Sequence, residues 1–446
     1  MSGSDYVKLA DALANDIAAG RLKPGDRLLP QRTFAYRNDI AVSTASRVYS
    51  ELVRRGLAAG EVGRGTYILG NAPKSQIPPE ITDARIDLEF NFPILPVQSE
   101  LMAPALAAAA RPEALTGALR LVAPNGTPAA RDIAAQFLAC AGWRPKAEGL
   151  FFTGNGRQAI ASAIGAMVPV GGRLGVEALT YPVVKASARR LGVTLVPLAM
   201  DEAGLRPDAI EKAHREGALS AIYLQPLLHN PLGVSISPER RHDLIKMAEK
   251  LDLMLIEDGV YRFLCDDPPL TALAPERCIL IDSLSKRIAP GMATGFICAP
   301  VGLRERVMTS IRSGGWSAAG FAFEAGQRMI VDGTADKIAT LKHEDAAERQ
   351  QIAAECLAGL EVHADRRAYH LWLKLPDPWR SETFVAAAAR HGIGVTPSSA
   401  FTVGHGHAPN AVRLALASPS VERLREALLT LARLLRAGAE SFDTTE

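Results

Sequence analysis

The chain runs to 446 residues, 48% of them hydrophobic, and its 50 Lys+Arg against 48 Asp+Glu leave a formal net charge of +2. A chain of this size buries a large core and divides into two or three domains, and a charge so near zero excludes a surface that is basic throughout. Five dispersed cysteines (Cys140, Cys265, Cys278, Cys298, Cys356) with no C-x-x-C pair speak against a disulfide framework or zinc site, and no secretory leader or 18-residue apolar run is read, so a cytoplasmic chain without a membrane span is expected.

Residues 1–70 hold ten Lys+Arg and seven Asp+Glu, or +3, which leaves −1 for the remainder. Tyr6, Leu9, Ala10, Leu13 and Ile17 recur at helical spacing, and the pattern stops at Gly20. Lys23-Pro-Gly-Asp reads as a turn, and Pro30 opens a short helix over 31–36 that breaks at Arg37-Asn-Asp. Ala45, Val48, Tyr49, Leu52 and Val53 then fall at i, i+3, i+4, i+7 and i+8, with Ser43 as the expected N-cap and Gly56 as the stop. The opposite face carries Ser43, Thr44, Ser46, Arg47, Ser50 and Arg54. Small hydroxyls and an early arginine on the second helix of a helix-turn-helix suit a recognition helix in a major groove. Residues 58–69 read as a two-stranded wing tipped by Gly63-Arg64-Gly65.

In order along the chain, Ala19-Gly-Arg-Leu-Lys-Pro-Gly-Asp-Arg-Leu, Pro-Gln-Arg-Thr, Val-Ser-Thr-Ala-Ser-Arg-Val-Tyr-Ser-Glu-Leu and Gly-Arg-Gly-Thr-Tyr resemble the GntR-type winged helix. The resemblance covers nearly all of 1–70 and implies DNA contacts from Arg32, Thr33, Ser43, Thr44, Ser46, Arg47, Arg64 and Gly65.

Residues 71–85 are polar and carry Pro73, Pro78 and Pro79, the composition of a semi-extended linker. Strand-like runs follow at 149–153, 173–176, 194–197, 221–225, 253–257, 278–282 and 295–299, most of them separated by helical runs. That alternation predicts an α/β domain over 86–446 with a mostly parallel sheet covered by helices. From about 335 onward, strands at 369–375 and 412–416 and a final amphipathic helix over 421–435 predict a smaller α+β subdomain.

Ligands of such sheets gather at the carboxyl ends of the strands, and there the informative residues converge. Gly154-Asn-Gly-Arg-Gln turns from a strand into a helix, presenting the N–H groups of Asn155, Gly156, Arg157 and Gln158 to a phosphate. Tyr181, Asn230, Asp258, Tyr261 and Lys286 follow successive strands, the last inside Ser283-Leu-Ser-Lys with Ser285 before it. A carboxylate for a pyridinium nitrogen, two partners for a phenolic oxygen and an amine suit pyridoxal 5'-phosphate, whose aldehyde forms an imine with a lysine. Each residue alone has an ordinary structural explanation; their joint occurrence at strand ends carries the inference. His405-Gly-His407 reads as a loop without a third metal ligand, and His229 as a neighbour of Asn230 in the pocket wall.

At these positions the chain resembles the pyridoxal-phosphate aminotransferases of the aspartate aminotransferase type, and with the winged helix in front it resembles a MocR-type transcriptional regulator over essentially its whole length. The resemblance implies that Lys286 carries the imine, Asp258 pairs the pyridinium, and Asn230 and Tyr261 bond the phenolate. It further implies that Tyr181 stacks on the ring, that Ser283 and the 155–158 turn take the phosphate, and that Arg413 binds an α-carboxylate. Two departures stand out. The arginine usual seven or eight residues after the lysine is replaced by Ala293 and Thr294, so Arg157 or Arg287 is expected to supply the charge; and Leu121 stands where relatives have a tyrosine that reaches the partner subunit's phosphate.

The expected function is a homodimeric transcriptional regulator that binds promoter DNA and senses an amino acid or amine by imine exchange at the cofactor. The alternative is an active aminotransferase with a vestigial head. A third reading, a scaffold without cofactor, is excluded if the purified protein is yellow and Lys286→Ala removes the colour.

Overall fold

Two units divide the chain, Met1–Gln76 and Ile77–Glu446. The computed structural model describes residues 5–18, 21–22, 26–54, 57–61, 65–68, 85–404 and 408–437, so Arg64, the 405–407 loop and all of the expected linker except Arg85 lie outside the described residues.

In the first unit, α1 (Asp5–Ala18), α2 (Gln31–Arg37) and α3 (Val42–Arg54) precede an antiparallel hairpin of β1 (Ala58–Glu61) and β2 (Gly65–Ile68). Helical spacing puts Ala45, Val48, Tyr49 and Leu52 on one buried stripe of α3, in a core shared with Ala10 and Ile17 of α1 and Phe34 of α2. The Phe34 and Tyr49 rings lie 5.3 Å apart, and the Tyr49 hydroxyl donates to the Leu29 carbonyl at 2.6 Å, so its polar end is satisfied inside the core. The segment before α2 joins the hairpin: Leu28 N–H donates to Thr66 O and Ile68 N–H to Asp26 O, both at 2.8 Å.

One expectation is corrected here. The N–H groups of Thr44 and Ala45 bond to Ala41 O, so α3 begins at Val42 and Ser43 sits inside its first turn rather than capping it. The turn at Asn38–Asp39, with Asp39 at φ 49°, sets the start of the helix. Side-chain capping preference is a weaker constraint than that turn.

In the second unit the first strand, β3 (Ile86–Leu88), leaves the large sheet to others. The large sheet comprises β4 (Leu150–Thr153), β5 (Arg173–Glu177), β6 (Thr194–Leu198), β9 (Ala221–Leu224), β10 (Met254–Asp258), β11 (Cys278–Ser283) and β12 (Gly295–Cys298), in the order β4-β12-β11-β10-β9-β5-β6. A small hairpin of β7 (Met200–Asp201) and β8 (Gly204–Leu205) interrupts the chain order. Only β12 runs against its neighbours. The link from β11 to β12 is too short for a covering crossover helix, so the chain turns back antiparallel.

Period-two alternation loads both faces. Ile279 and Ile281 of β11 face one core with Ile160, Tyr223 and Ile297, while Leu280 joins Phe152 and Phe296 on the other. Strands buried on both sides read as continuous apolar runs, and all seven coincide with the runs singled out in the sequence.

The smaller sheet contains β13 (Val362–Ala364), β14 (His370–Lys374), β15 (Ile393–Pro397) and β16 (Ala411–Ala415) in the order β13-β14-β16-β15-β3. Its edge is therefore β3, paired parallel with β15 through Ile86 and Ile393. The helix Val421–Ala437 packs Leu428 and Leu431 against Leu371, Leu373, Val412 and Leu414 of this sheet. The helix Thr334–Cys356 leads into it and buries Lys342 and Arg349. Among the described residues no helix is long and apolar enough to cross a membrane.

Candidate functional site

A cavity of about 410 Å³ opens at the carboxyl ends of β4, β10 and β11. Its wall includes Asn155, Gly156 and Arg157 on one side, Asn230, Asp258 and Tyr261 on another, and Lys286 between them. Tyr181, Ser283, Ser285 and Arg413 complete the set of sequence-predicted residues that meet there.

Asp258 ends β10 and is 2% exposed. Its Oδ2 accepts from the Tyr223 hydroxyl at 2.5 Å and from Gln225 Nε2 at 3.0 Å, and its Oδ1 accepts from Val260 N–H at 3.2 Å. Burial nevertheless pushes its pKa up to about 6, the hydrogen bonds from Tyr223 and Val260 opposing the rise. A carboxylate so poorly solvated gains from a cationic N–H placed against it.

Lys286 lies on the short helix Leu284–Arg287 that leaves β11. Its Nζ donates to Asn91 O at 2.5 Å and stands 3.6 Å from the centre of the Phe92 ring. Burial, then the nearby charges of Arg157, Arg413 and Lys342, drive its pKa well below the usual lysine value, favouring the neutral amine that a nucleophile requires. The turn carrying it is clamped from behind: Lys342 Nζ donates to Lys286 O at 3.0 Å and to Ile288 O at 2.6 Å, and Gln98 Nε2 donates to Ile288 O at 2.8 Å. Burial lowers Lys342 itself to about 7.

At the other end, Asn155 Oδ1 accepts from Gln158 N–H at 2.9 Å and caps the helix Gly156–Met167. A side chain at Gly156 would bring a Cβ within 3.1 Å of Ser283 Cβ, so glycine lets this helix start approach β11. Ser283 Oγ accepts from Ser285 N–H at 3.0 Å and lies 2.8 Å from Ser285 Oγ. Helix-start N–H groups, two hydroxyls and Arg157 form a donor-rich end suited to a phosphate.

Arg413, on β16, is 5% exposed, and its Nη2 donates to Glu89 O at 2.5 Å and to Thr396 Oγ1 at 2.9 Å. Its Nε and Asn230 Oδ1 are buried polar atoms without a partner among the described residues, and both belong to residues of the cavity wall. Buried polar atoms left open call for a polar ligand. The donor and acceptor set fits pyridoxal phosphate with an added carboxylate.

Three expectations are corrected. Arg287 is not in the cavity wall: its Nη2 donates to Asp282 Oδ2 at 2.9 Å, and its guanidinium lies 4.5 Å from the Phe137 ring. One residue along a helix turns a side chain by about 100°, which carries Arg287 off the face of Lys286. Gln158 contributes its backbone N–H to Asn155 but does not line the cavity. His229 also lies behind the wall, its Nε2 3.2 Å from Glu177 Oε2.

Sequence reasoning missed Asn91, Phe92, Tyr223, Gln225, Lys342 and His370. Tyr223 and Gln225 lie on or just after β9, so their alternation with Leu224 was the available signal. The others reach the site from remote segments and left none.

In the first unit, Arg32, Thr33, Ser43 and Arg47 are exposed, and Thr44, Ser46 and Gly65 are half-buried. Gly65 has φ 123°, and a Cβ there would meet Arg27 Nε at 2.6 Å.

The aminotransferase class I and II family model matches residues 85–431. The HTH-type transcriptional regulator YdeF of Bacillus subtilis is 28% identical over 435 residues, covering 96% of this chain and 94% of its own. The HTH-type pyridoxine biosynthesis transcriptional regulator PdxR of Corynebacterium glutamicum is 27% identical over 316 residues, 69% of this chain and 68% of its own. Among solved structures, an archaeal alanine:glyoxylate aminotransferase superposes with a TM-score of 0.73 at 21% identity, over 97% of this chain and 99% of its own. The α-aminoadipate aminotransferase LysN of Thermus thermophilus, complexed with N-(5'-phosphopyridoxyl)-L-leucine, gives 0.70 at 21% identity over 79% and 92%. The solved structures show the fold, and YdeF, named as a regulator, matches over 96% of this chain as the MocR-type resemblance implies.

Proposed function

The chain belongs to the aminotransferase class I and II family, whose cofactor is pyridoxal 5'-phosphate, and from that premise we propose a transcriptional regulator that binds promoter DNA and senses an amino acid through its cofactor. What carries the reading is the pairing, in one chain, of a complete cofactor cavity with a separate unit whose α3 turns Ser43 and Arg47 outward. Residues 1–70 would be the DNA-binding head, 71–85 the linker and 86–446 the sensor, in a cytoplasmic homodimer. Arg47 and Arg32 would engage base edges and phosphates, with Thr33, Thr44, Ser46 and the wing at Arg64 and Gly65 beside them.

When bound, the cofactor supplies an electrophilic aldehyde that condenses reversibly with primary amines. The chain's own groups hold and tune it. Asp258 would pair with the ring nitrogen and hold its proton there, while Asn230 and Tyr261 would bond the phenolic oxygen. Tyr181 would cover the ring, and Ser283, Ser285 and the Asn155–Arg157 turn would take the phosphate, with Arg157 supplying the charge absent at Ala293 and Thr294. Lys286, whose pKa is driven down by burial, would supply the amine, and Arg413 would select a carboxylate by paired N–H donors. Exposed Leu119 and Leu121, at 86% and 89%, support a face covered by a second copy.

The test is binding of the cofactor-loaded protein to DNA from its own genomic neighbourhood, measured by fluorescence anisotropy across salt. Neutralising ~6 phosphates predicts roughly a 10³-fold loss of affinity from 50 to 200 mM salt. The reading fails if no such DNA binds above the level of unrelated sequence. A working aminotransferase is the second reading, favoured by Lys286, Asp258 and Arg413 sharing one cavity. Steady turnover of an amino acid with an oxo acid at ~1–10³ s⁻¹ would establish it.

A further inference from the structure

Behind Tyr261 a set of buried groups is arranged in a way the cofactor contacts alone do not explain. His370, the first residue of β14, is fully buried, and its Nε2 lies 3.0 Å from His229 O. A carbonyl oxygen only accepts, so the Nε2 atom carries the imidazole proton. Burial, opposed by the hydrogen bond to the His229 carbonyl and reinforced by the nearby Arg413, lowers the pKa of His370 to about 3, so the ring stays neutral and Nδ1 is a bare acceptor.

Asn91 Nδ2 stands 3.4 Å from that Nδ1 and 3.0 Å from the Tyr261 hydroxyl oxygen. The tautomer of His370 therefore decides which way the amide faces. Rotated by 180°, Asn91 would set its carbonyl oxygen against the lone pair of Nδ1. With the amide held, both of its N–H bonds are spoken for, one by His370 and one by Tyr261. Tyr261 accepts there, and its single proton is left to point elsewhere. Tyr261 lines the cavity, and burial raises its pKa, so that proton is retained.

We propose that His370 and Asn91 are positioning residues of the cofactor site, which commit the Tyr261 hydroxyl to donate into the cavity. The inference rests on the cofactor reading above and gives it a direction: Tyr261 acts as a donor to the phenolic oxygen of pyridoxal phosphate, never as an acceptor from it. The titratable groups facing Tyr261 and His370 are Arg413, Lys286, Asp258, Tyr181 and His229, and the substitutions below leave all five in place.

The experiment compares the full-length parent with Asn91→Asp, His370→Phe, Tyr261→Phe and the Asn91→Asp/Tyr261→Phe double variant, each loaded with pyridoxal phosphate. The readouts are the pH midpoint of the visible band and the dissociation constant for the cofactor. Asn91→Asp is nearly isosteric but exchanges the donor for an acceptor, so the Tyr261 proton is drawn away from the cavity. Asn91→Asp and His370→Phe are expected to raise the midpoint by about 0.5–1 pH unit and to weaken cofactor binding roughly 3–10-fold, as Tyr261→Phe does. The double variant is expected to go no further than Tyr261→Phe alone. Midpoints equal to the parent's, or shifts that add in full in the double variant, overturn the inference. If His370→Phe does not fold, Asn91→Asp carries the test by itself. A parent that takes up no pyridoxal phosphate sinks the reading of the cavity, whereas a parent that does, with indistinguishable variants, sinks this inference alone.

Discussion

Asp258 sits where function and stability conflict. Its carboxyl is raised from 3.8 to about 6 chiefly by burial, so the folded chain holds its proton more tightly than the unfolded chain does. The penalty on folding is absent below pH ~4, grows between ~4 and ~6, and is fully present above that. A two-unit shift corresponds to at most ~3 kcal/mol. Without cofactor, Asp258→Asn is therefore expected to melt above the parent at pH 8, by the equivalent of ~1–3 kcal/mol, and level with it near pH 4; equal melting at pH 8 would show that Tyr223 and Gln225 already offset the burial. Loaded with cofactor, the order should reverse, because only the carboxylate pairs a ring N–H⁺. Residue identity at strand ends made Asp258, Asn230 and Lys286 legible before the fold was known. Asn91 and His370 were not, because their roles depend on an approach across 279 positions of chain. Arg287 was misjudged because proximity in sequence to Lys286 is not proximity on a helix face.

At the scale of elements, the strands of the large sheet were readable because most of their residues are buried and apolar on both faces, the edge strand β6 with exposed Thr194 and Pro197 excepted. β3 was not, being three residues long and paired with a strand some 300 positions away. Short elements draw their stability from partners rather than from their own pattern. On α3 the buried stripe was legible, while its first residue depended on a turn. Leu52 is fully buried in the small core of the first unit. Leu52→Ala is expected to remove ~2–4 kcal/mol of stability there. Since the cavity belongs to the other unit, the visible band of the cofactor should persist through the lower of two thermal transitions. A single merged transition, with the band lost at the same temperature, would contradict this.

For the molecule as a whole, a regulator needs an effector to act differently on two states, and a tenfold change in DNA affinity requires only ~1.4 kcal/mol of such coupling. Under the proposed function, Arg413 would be the group that distinguishes an α-amino acid from the corresponding decarboxylated amine. Arg413→Gln is expected to keep operator affinity and cofactor absorbance near the parent's while losing at least ~10-fold of the response to amino acids. If its response to an amino acid equals the parent's, the carboxylate is read elsewhere.

The pairing of β3 with β15 sets where the chain from the head is moored. Arg85 gives its carbonyl to Arg423 Nη1 at 3.0 Å, Ile86 to Leu88 form the edge of the smaller sheet, and Glu89 gives its carbonyl to Arg413. Residues 85–89 are thus bound to the smaller layer, the same sheet that bears Arg413, and not to the large sheet from whose strand ends Asp258 and Lys286 follow. Any tilt of that layer against the large sheet must haul the mooring with it. If the effector acts by tilting that layer, a rigid crosslink between the two layers is expected to leave the berth for cofactor intact and abolish the response of DNA affinity.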